Sequence, residues 1–402
     1  MNISLEQVDI GLRIASSIAA GVWILIALDR LRWWPSQWSL HLDAAAREPR
    51  PNEFGEIVAV VPARNEASVL PRTLPRLLKQ REWLRSIVVV DDRSRDKTVS
   101  SAVRLADGTP AEGHLQVEKI TETDPDWSPK TYAMQRGYEV ATADWDGDPS
   151  RQWVLFTDAD ILHPAFCMTR LMAKVGAGEV DMISVMVRVR SRSFWEWLLI
   201  PTYVYLFQSI RPFRRASSTG RPSAASYVIL VRRSALEEAG GLEAVRGDTA
   251  VGLALARAIR SSGGRCWIGL DPDIRSLRTY DSYAAIQDKV SRTAFENAGG
   301  GYFRALMALL TMAVLFVLPP AMMIYGAVRF DLITGITGAI GWILGMATYL
   351  PVVQYLGAPS GMTLALPLSA GLTGWMLLRS TMRRITGRKQ PWREPTEMDL
   401  TA

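Results

Sequence analysis

The chain has 402 residues, a formal net charge of +6 and 48% hydrophobic residues, enough for one large domain or two ordinary ones. Two cysteines and three scattered histidines argue against a disulfide framework and against a histidine-based metal centre. Arginine heavily outnumbers lysine, and much of it lies close to the long apolar runs, which points to anionic lipid. No aromatic–basic motif for nucleic acid stands out, so nucleic acid is not an expected partner.

Ile10 to Leu28 is apolar apart from Arg13 and a few small residues. Glu6 and Asp9 stand where a signal peptide would carry positive charge. The run is long enough to span, Trp33, Trp34 and Trp38 suit an interfacial belt, and Arg30 and Arg32 place the next domain in the cytoplasm. Residues 1–50 therefore read as a membrane anchor and linker.

A soluble domain is expected over residues 51–300. "EIVAVVPARNEA" from Glu56, "SIVVVDD" (Ser86–Asp92) and "WVLFTDAD" (Trp153–Asp160) read as buried strands. "SVLPRTLPRLLKQ" and "RSRDKTVSSAVRLA" read as helices between them, with Asp96 near a helix start where its charge favours the dipole. Strand and helix in alternation imply a parallel sheet with covering helices, whose ligands gather beyond the carboxyl ends of the strands. Arg64, Asn65, Glu66, Asp91, Asp92, Asp158 and Asp160 all fall on that edge. A carboxylate there can hold a ribose hydroxyl or a base N–H. Two carboxylates one residue apart can offer oxygen to a hard divalent ion, which in turn neutralises a diphosphate. There is no GxGxxG or GxxxxGK[ST] loop, which counts against dinucleotide cofactors and ATPases. His163 is expected at a helix start or on the surface, and both cysteines in the core.

"FWEWLLIPTYVYLFQSIRPF" (Phe194–Phe213) is long enough to span, but a crossing here would split the central domain. Glu196, Pro201, Gln208 and Arg211 also suit hydrocarbon poorly, so this helix is expected to lie in the membrane surface with Trp195 and Trp197 as anchors. In "GGLEAVRGDTAVGLALARAIR" (Gly240–Arg260), Val251, Leu255 and Ala258 recur at helical spacing and Asp248 suits the N-cap.

Three apolar runs, Ala305–Val328, Leu332–Leu356 and Thr363–Leu378, form the membrane segment 301–380. Three full crossings would carry the basic tail (381–402, entered through "RSTMRRITGRKQPWR", Arg379–Arg393) outside, against the positive-inside rule. One run is therefore expected to be re-entrant or interfacial, and Pro319-Pro320 makes the first run the suspect.

"VPARNEA", "VVVDDRSRDKT", "WSPK" (Trp127–Lys130) and "FTDADILHP", in this order, resemble the motifs of family 2 glycosyltransferases with the GT-A fold. More narrowly, "WLLIPTYVYLFQSIRPF", "LVRRSALEEAGGLEAVRG", "IRSLRTYDSYAAI" and "VSRTAFE" resemble the hopanoid-biosynthesis-associated membrane glycosyltransferases. The resemblance implies an α/β fold: a GT-A-type doubly wound, mostly parallel sheet, with an N-terminal anchor and C-terminal membrane helices. It implies an inverting enzyme of the cytoplasmic membrane, using Mg2+ or Mn2+, a nucleotide-sugar donor and a membrane lipid acceptor such as a hopanoid. By the same resemblance Arg64 and Glu66 lie by the nucleotide, Asp92 binds base or ribose, and Asp91 supports it. Lys130 approaches the donor, with Pro129 in place of the usual glycine. Asp158 faces the donor ribose or sugar, and Asp160 holds the ion.

Two departures stand out. Ser226-Tyr227 replaces a Gly-Gly turn, where a tyrosine at positive φ would be strained. Aligning on Leu255-Ala256-Arg257 puts Val251 and Gly252 where the family carries an acidic pair that includes its base. Asp248 lies four residues before Gly252, about one turn or ~6 Å along a helix. It reaches the site only if the helix starts a turn earlier; otherwise it is a cap. Two readings stay open: an enzyme with Asp248 as base, or a nucleotide-binding scaffold in lipid synthesis that has lost it. A lipid-handling protein without nucleotide binding is the third, opposed by the intact strand-end acids.

Overall fold

The protein is described by a computed structural model covering residues 5–33, 48–106, 114–178, 180–210, 213, 222–280 and 282–386. In chain order, α1 (Leu5–Trp33) precedes β1 (Glu56–Ala63), α2 (Leu70–Leu78), β2 (Leu84–Asp91), α3 (Thr98–Ala106) and β3 (Leu115–Lys119). There follow α4 (Pro129–Thr142), β4 (Gln152–Thr157), β5 (Ile161–Leu162), α5 (Cys167–Ala177), β6 (Met182–Val189) and α6 (Phe194–Ile210). Next come β7 (Val228–Arg232), α7 (Arg233–Glu238), α8 (Val251–Ser261), β8 (Cys266–Ser276) and α9 (Tyr283–Asn297). The chain closes with α10 (Tyr302–Met312), α11 (Leu318–Arg329), α12 (Leu332–Tyr355) and α13 (Leu366–Ile385).

These elements form two compact units. One is Ser36–Arg190, Arg211–Thr279 and Gln390–Ala402; the other is Met1–Pro35, Ser191–Ile210 and Tyr280–Lys389. The boundary therefore differs from the expected one at residue 300: α6 and α9 belong to the helical unit. Trp34, Trp38, Arg211 and the tail with Trp392-Arg393 lie outside the described residues, as do the side chains of Arg32 and Trp33.

In the α/β unit eight strands form one sheet in the order β3-β2-β1-β4-β7-β6-β8-β5. β3, β2, β1 and β4 pair in parallel, as do β6 and β8, whereas β7 and β5 run antiparallel to their neighbours. β1, β2 and β4 are buried over nearly their whole length. Burial on both faces makes them read as uninterrupted apolar runs and not as alternating ones. α4 lies close on β1 and β2 because Gly137 has no side chain: a Cβ there would stand 2.4 Å from Val60 Cγ1 and 2.7 Å from Val90 Cγ2. From β1 the chain winds outward through β2 and β3, then returns to β4 on the other side of β1. That reversal is the topological switch point, and the carboxyl ends of β1, β2 and β4 open onto it.

Among the described residues of the helical unit, four helices are long and apolar enough to cross a membrane: Gln7–Arg30, Tyr302–Arg329, Leu332–Tyr355 and Ser360–Ile385. α1 and α12 run parallel: Ser16 Oγ bonds Thr337 Oγ1 at 2.7 Å, and Trp23 packs on Gly341 and Gly345. α11 runs back along α12 with Gly326 against Gly335 and Pro319 against Gly341.

The suspected break at Pro319-Pro320 does not occur. A π turn, Ala313–Val317, joins α10 to α11 and the helix continues. Pro319 has no N–H for the carbonyl four residues back, Leu315 O. Trp23 Nε1 donates to that oxygen instead, at 2.7 Å. A neighbouring helix thus satisfies the acceptor that the proline releases.

α13 is the helix that turns back. It begins beside Gly345, and Ser369 joins Thr202 Oγ1 (2.7 Å), itself bonded to Tyr349 OH at 2.8 Å. It passes Leu309 and Met312 at Gly374, then ends on α9, where Ser380 Oγ accepts from Phe295 N at 3.3 Å and Arg383 lies 3.8 Å from Asp288. The opposite end of the bundle is held by Arg13–Asp331 (2.7 Å) and by Asp9 with Tyr325 and Arg329. α13 thus starts and finishes in the half of the bundle where α10 begins.

α6 is packed inside this unit, with Leu198, Leu199, Ile200, Thr202, Val204, Tyr205 and Gln208 all buried. Its fully buried Glu196 completes a capping box: Ser193 Oγ accepts from Glu196 N at 3.2 Å, and Glu196 Oε2 accepts from Ser193 N at 2.9 Å. Tyr280 N gives Glu196 Oε1 a further bond at 2.8 Å.

Candidate active site

β1 ends at Ala63 and the next residues leave the sheet as a turn, with Asn65 in the left-handed region. β2 ends at Asp91, and Arg93 is left-handed too. The two turns are stitched together. Asn65 N donates to Ser94 Oγ (2.9 Å), Glu66 N to Thr98 Oγ1 (2.8 Å) and Ala67 N to Asp96 Oδ2 (3.0 Å). Asp96 also accepts from Thr98 N at 3.0 Å, so it caps the start of α3 as expected and ties the first turn to it.

Asp92 is buried and clasped by two arginines, Arg64 Nη1 at 3.1 Å and Arg93 Nε at 2.9 Å. Arg93 was not among the residues singled out from sequence. Asp91 accepts from Ser94 N at 3.3 Å, while its Oδ1 is buried with no partner among the described residues. Burial raises its carboxyl above the ordinary value, and the charges of Asp92 and Asp96 add to that.

Beyond β4 stand the paired acids. Asp158 Oδ1 accepts from Lys130 Nζ, which also donates to Ser226 O at 3.1 Å. Lys130 occupies the first turn of α4, where Ser128 is the N-cap and Pro129 takes the first helical position that suits proline. The proline therefore presents the lysine without disturbing the helix. Burial raises the Asp158 carboxyl; Lys130 opposes that and Asp160 reinforces it. Asp160 is buried and accepts from Ser276 Oγ at 2.7 Å and Arg278 Nε at 3.2 Å. Arg278 also pairs with Glu66. Its place follows from strand geometry: β5 pairs with the end of β8, Ile161 opposite Ser276, and Leu277 N donates to Asp160 O at 2.9 Å. Residues two apart then share a face, which brings Ser276 and Arg278 onto one carboxylate.

His163 is neither on the surface nor at the site. It is buried, with Nε2 3.0 Å from Thr157 Oγ1 and Nδ1 3.4 Å from Cys167 Sγ, and burial lowers it to about 4. Cys167 and Cys266 are buried as expected.

Among the described residues no three His, Cys, Asp or Glu side chains converge as a metal cage. Asp158 and Asp160 nevertheless present oxygen alone, the donor type of Mg2+ and Mn2+. An ion here would draw its other oxygens from a diphosphate and water, as Mg2+ sites commonly do. The residues fit an ion that arrives with a nucleotide.

The segment Gly240–Arg260 departs from expectation. α8 begins at Val251 with Ala250 as its N-cap, so Asp248 does not cap it and the helix does not start a turn earlier. Asp248 is half-buried, and its amide donates to Val245 O at 3.0 Å. The preceding loop is pinned by Ser128 N donating to Arg246 O at 2.6 Å, two residues before Lys130. At the start of α8, Gly252 N donates to Ser226 Oγ at 3.0 Å. A Cβ at Gly252 would lie 2.9 Å from both Ala225 O and Ser226 Oγ, so no side chain fits there. Neither Ser226 nor Tyr227 has positive φ, so the anticipated strain is absent. Tyr227 O instead accepts from Asp158 N at 3.0 Å.

A cavity of about 450 Å³ lies elsewhere, against Phe54, Asp181, Arg232 and Arg265, apart from every strand-end acid described above. The chemistry gathers at the switch point.

Residues 58–240 match the glycosyl transferase family 2 profile. The mannosyltransferase PcManGT from Pyrobaculum calidifontis, solved with GDP-Man and Mn2+, is 19% identical, with a TM-score of 0.55 over 94% of this chain and 99% of that one. At such identity the likeness shows the fold. Glucosyl-3-phosphoglycerate synthase from Mycobacterium tuberculosis, solved with Mg2+ and UDP, is 17% identical over 66% of this chain and 85% of that one, TM-score 0.38. S. aureus TarS 1–349 with UDP-GlcNAc is 12% identical over 85% and 95%, also at TM-score 0.38. No curated protein sequence matches the chain. The profile match and the GT-A-like sheet together make this chain a glycosyltransferase that carries a family 2 domain.

Proposed function

We propose that the protein is a metal-dependent, inverting glycosyltransferase of the cytoplasmic membrane, moving a sugar from a nucleoside diphosphate to a lipid hydroxyl. The observation that carries this reading is the switch-point cluster: Asp92 between two arginines, and Asp158 and Asp160 each held by a cation. Asp92, with Arg64 paired to it, takes the nucleoside together with Glu66, and Asp91 braces the turn behind it. Asp158 faces the donor sugar with Lys130 next to the diphosphate. Asp160 would hold Mg2+ or Mn2+, and such an ion, when bound, would supply positive charge to the diphosphate leaving group.

The acceptor oxygen bonds to the anomeric carbon, the carbon–oxygen bond to the diphosphate breaks, and the acceptor proton passes to a base. Asp248 is our candidate for that base, carried on the loop that Ser128 pins. The four long apolar helices support a lipid acceptor, for which a hopanoid or other polyprenoid is the class we favour. Arg30 lies in the last turn of α1, and Arg383 and Arg384 in that of α13; by the positive-inside rule this supports a cytoplasmic location for those ends.

One observation favours a second reading. Ser226 occupies the start of α8, where the base was expected. A domain that binds donor without turning it over, serving as a scaffold in lipid synthesis, would look like this. Assay of nucleoside diphosphate release decides between them, using membranes, Mn2+, a panel of sugar nucleotides and bacterial lipid extract. The enzyme reading expects release that falls about 10²–10⁴-fold in Asp248→Asn, the scale of a general base. Nucleotide binding without release from any donor would establish the scaffold.

A further inference from the structure

Arg278 lies 212 residues from Glu66 and 118 from Asp160, yet it bridges them. The two acid side chains are 8% and 4% exposed, whereas the arginine is 30% exposed. It therefore lies over them on the solvent side. Its Nε is on Asp160 Oδ2, the oxygen that Ser276 Oγ also reaches, and its Nη2 is on Glu66. Asp160 is the carboxylate assigned above to the divalent ion, so a guanidinium and an ion compete for the same charge. A carboxylate already committed to an internal cation binds an external one more weakly, by the fraction of time it is released.

From this geometry we propose that Arg278 is an internal counter-cation that couples ion binding to nucleotide binding. The inference rests on the donor-binding reading given above. Without nucleotide, Arg278 neutralises Asp160 and Glu66. When a nucleoside diphosphate enters, its oxygens offer the guanidinium a bidentate partner of the kind arginine prefers. Arg278 turns to the diphosphate, and Asp160 is released to the ion. Ion and nucleotide then strengthen each other's binding by the same factor. Arg278 is a positioning residue for donor and ion, and no proton or covalent step passes through it.

The test is Mn2+ binding to the full chain in detergent, read from the spin-resonance signal of free Mn2+, alone and with UDP or GDP. The wild type is expected to bind Mn2+ at least about tenfold more tightly with its nucleotide than alone. In Arg278→Gln, Mn2+ alone should bind at least fivefold more tightly, the nucleotide more weakly, and the coupling should shrink below threefold. Arg278→Lys keeps a charge but not the fork to two acids, and should fall between. A thermal melt checks that each variant is folded. Wild-type values for binary affinity and coupling in both variants would overturn the inference while leaving the donor site standing. A wild type that binds neither Mn2+ nor nucleotide would instead defeat the donor-binding reading, and this inference with it.

Discussion

Gly252→Ala adds one methyl group at the place where a catalytic acid was expected. The added carbon would stand 2.9 Å from Ala225 O and 2.9 Å from Ser226 Oγ, against an ordinary contact of 3.4 Å or more. Either the start of α8 or the strand entry at Ala225 must move, and the Gly252 N–Ser226 Oγ bond of 3.0 Å lengthens with it. Overpacking of this kind costs about 1–3 kcal/mol, and a lost hydrogen bond about 0.5–1.5 kcal/mol. The sum, roughly 2–4 kcal/mol, lowers Tm by about 2–4 °C per kcal/mol in a domain of this size. Tryptophan fluorescence can follow the melt, since Trp145 and Trp153 are buried in the same unit. Ser226→Gly is the control: it removes the hydroxyl collision but leaves the carbonyl, so the double variant should recover only part of the loss. A Gly252→Ala protein melting within 1 °C of wild type would refute this description of the α8 start.

Three further outcomes follow from the same geometry. Lys130→Met removes the charge that opposes burial at Asp158 and so raises that carboxyl further. The carboxylate is the binding form, so the acid limb of nucleotide binding should move to higher pH; an unmoved limb would dissociate the two residues. His163 is held neutral at about 4 against 6.5 for the free side chain, so an unfolded chain takes up its proton first. Its contribution is full above pH 6.5 and is lost as pH falls to about 4, on the order of 3 kcal/mol; His163→Asn should flatten that part of a Tm–pH curve. Trp23→Phe leaves Leu315 O without its donor beside Pro319. About 1–3 kcal/mol of stability should go with it, seen as a lower Tm in detergent; an unchanged Tm would mean the carbonyl is satisfied otherwise.

The strand-end acids were legible because β1, β2 and β4 are covered on both faces, leaving apolar runs that stop where Arg64, Asp91 and Asp158 begin. Lys130 was legible through "WSPK", and the structure gives its proline a physical reason at the first helical position. Arg278 was hidden, since it meets Asp160 only through the pairing of β5 with β8, across 118 residues. The alternation of Ser276 and Arg278 at a strand end was the available sign. The start of α8 was misjudged because Asp248 is a good cap by residue type, while the helix takes its bond from Ser226 on a distant segment. Pro319-Pro320 misled in the same way: the loss of an N–H is local, but the donor that compensates comes from Trp23. Local propensity locates such elements; the partners that settle their ends are non-local.

In the proposed reaction Asp158 and Asp160 serve transfer from a nucleotide sugar. The most direct measurement is nucleoside diphosphate release by membranes carrying the wild type, Asp158→Ala or Asp160→Ala, with Mn2+ and a panel of sugar nucleotides. The account predicts release by the wild type from at least one donor and its loss in each variant, with both variants still folded by thermal melt. Turnover at the wild-type rate in both variants would contradict it.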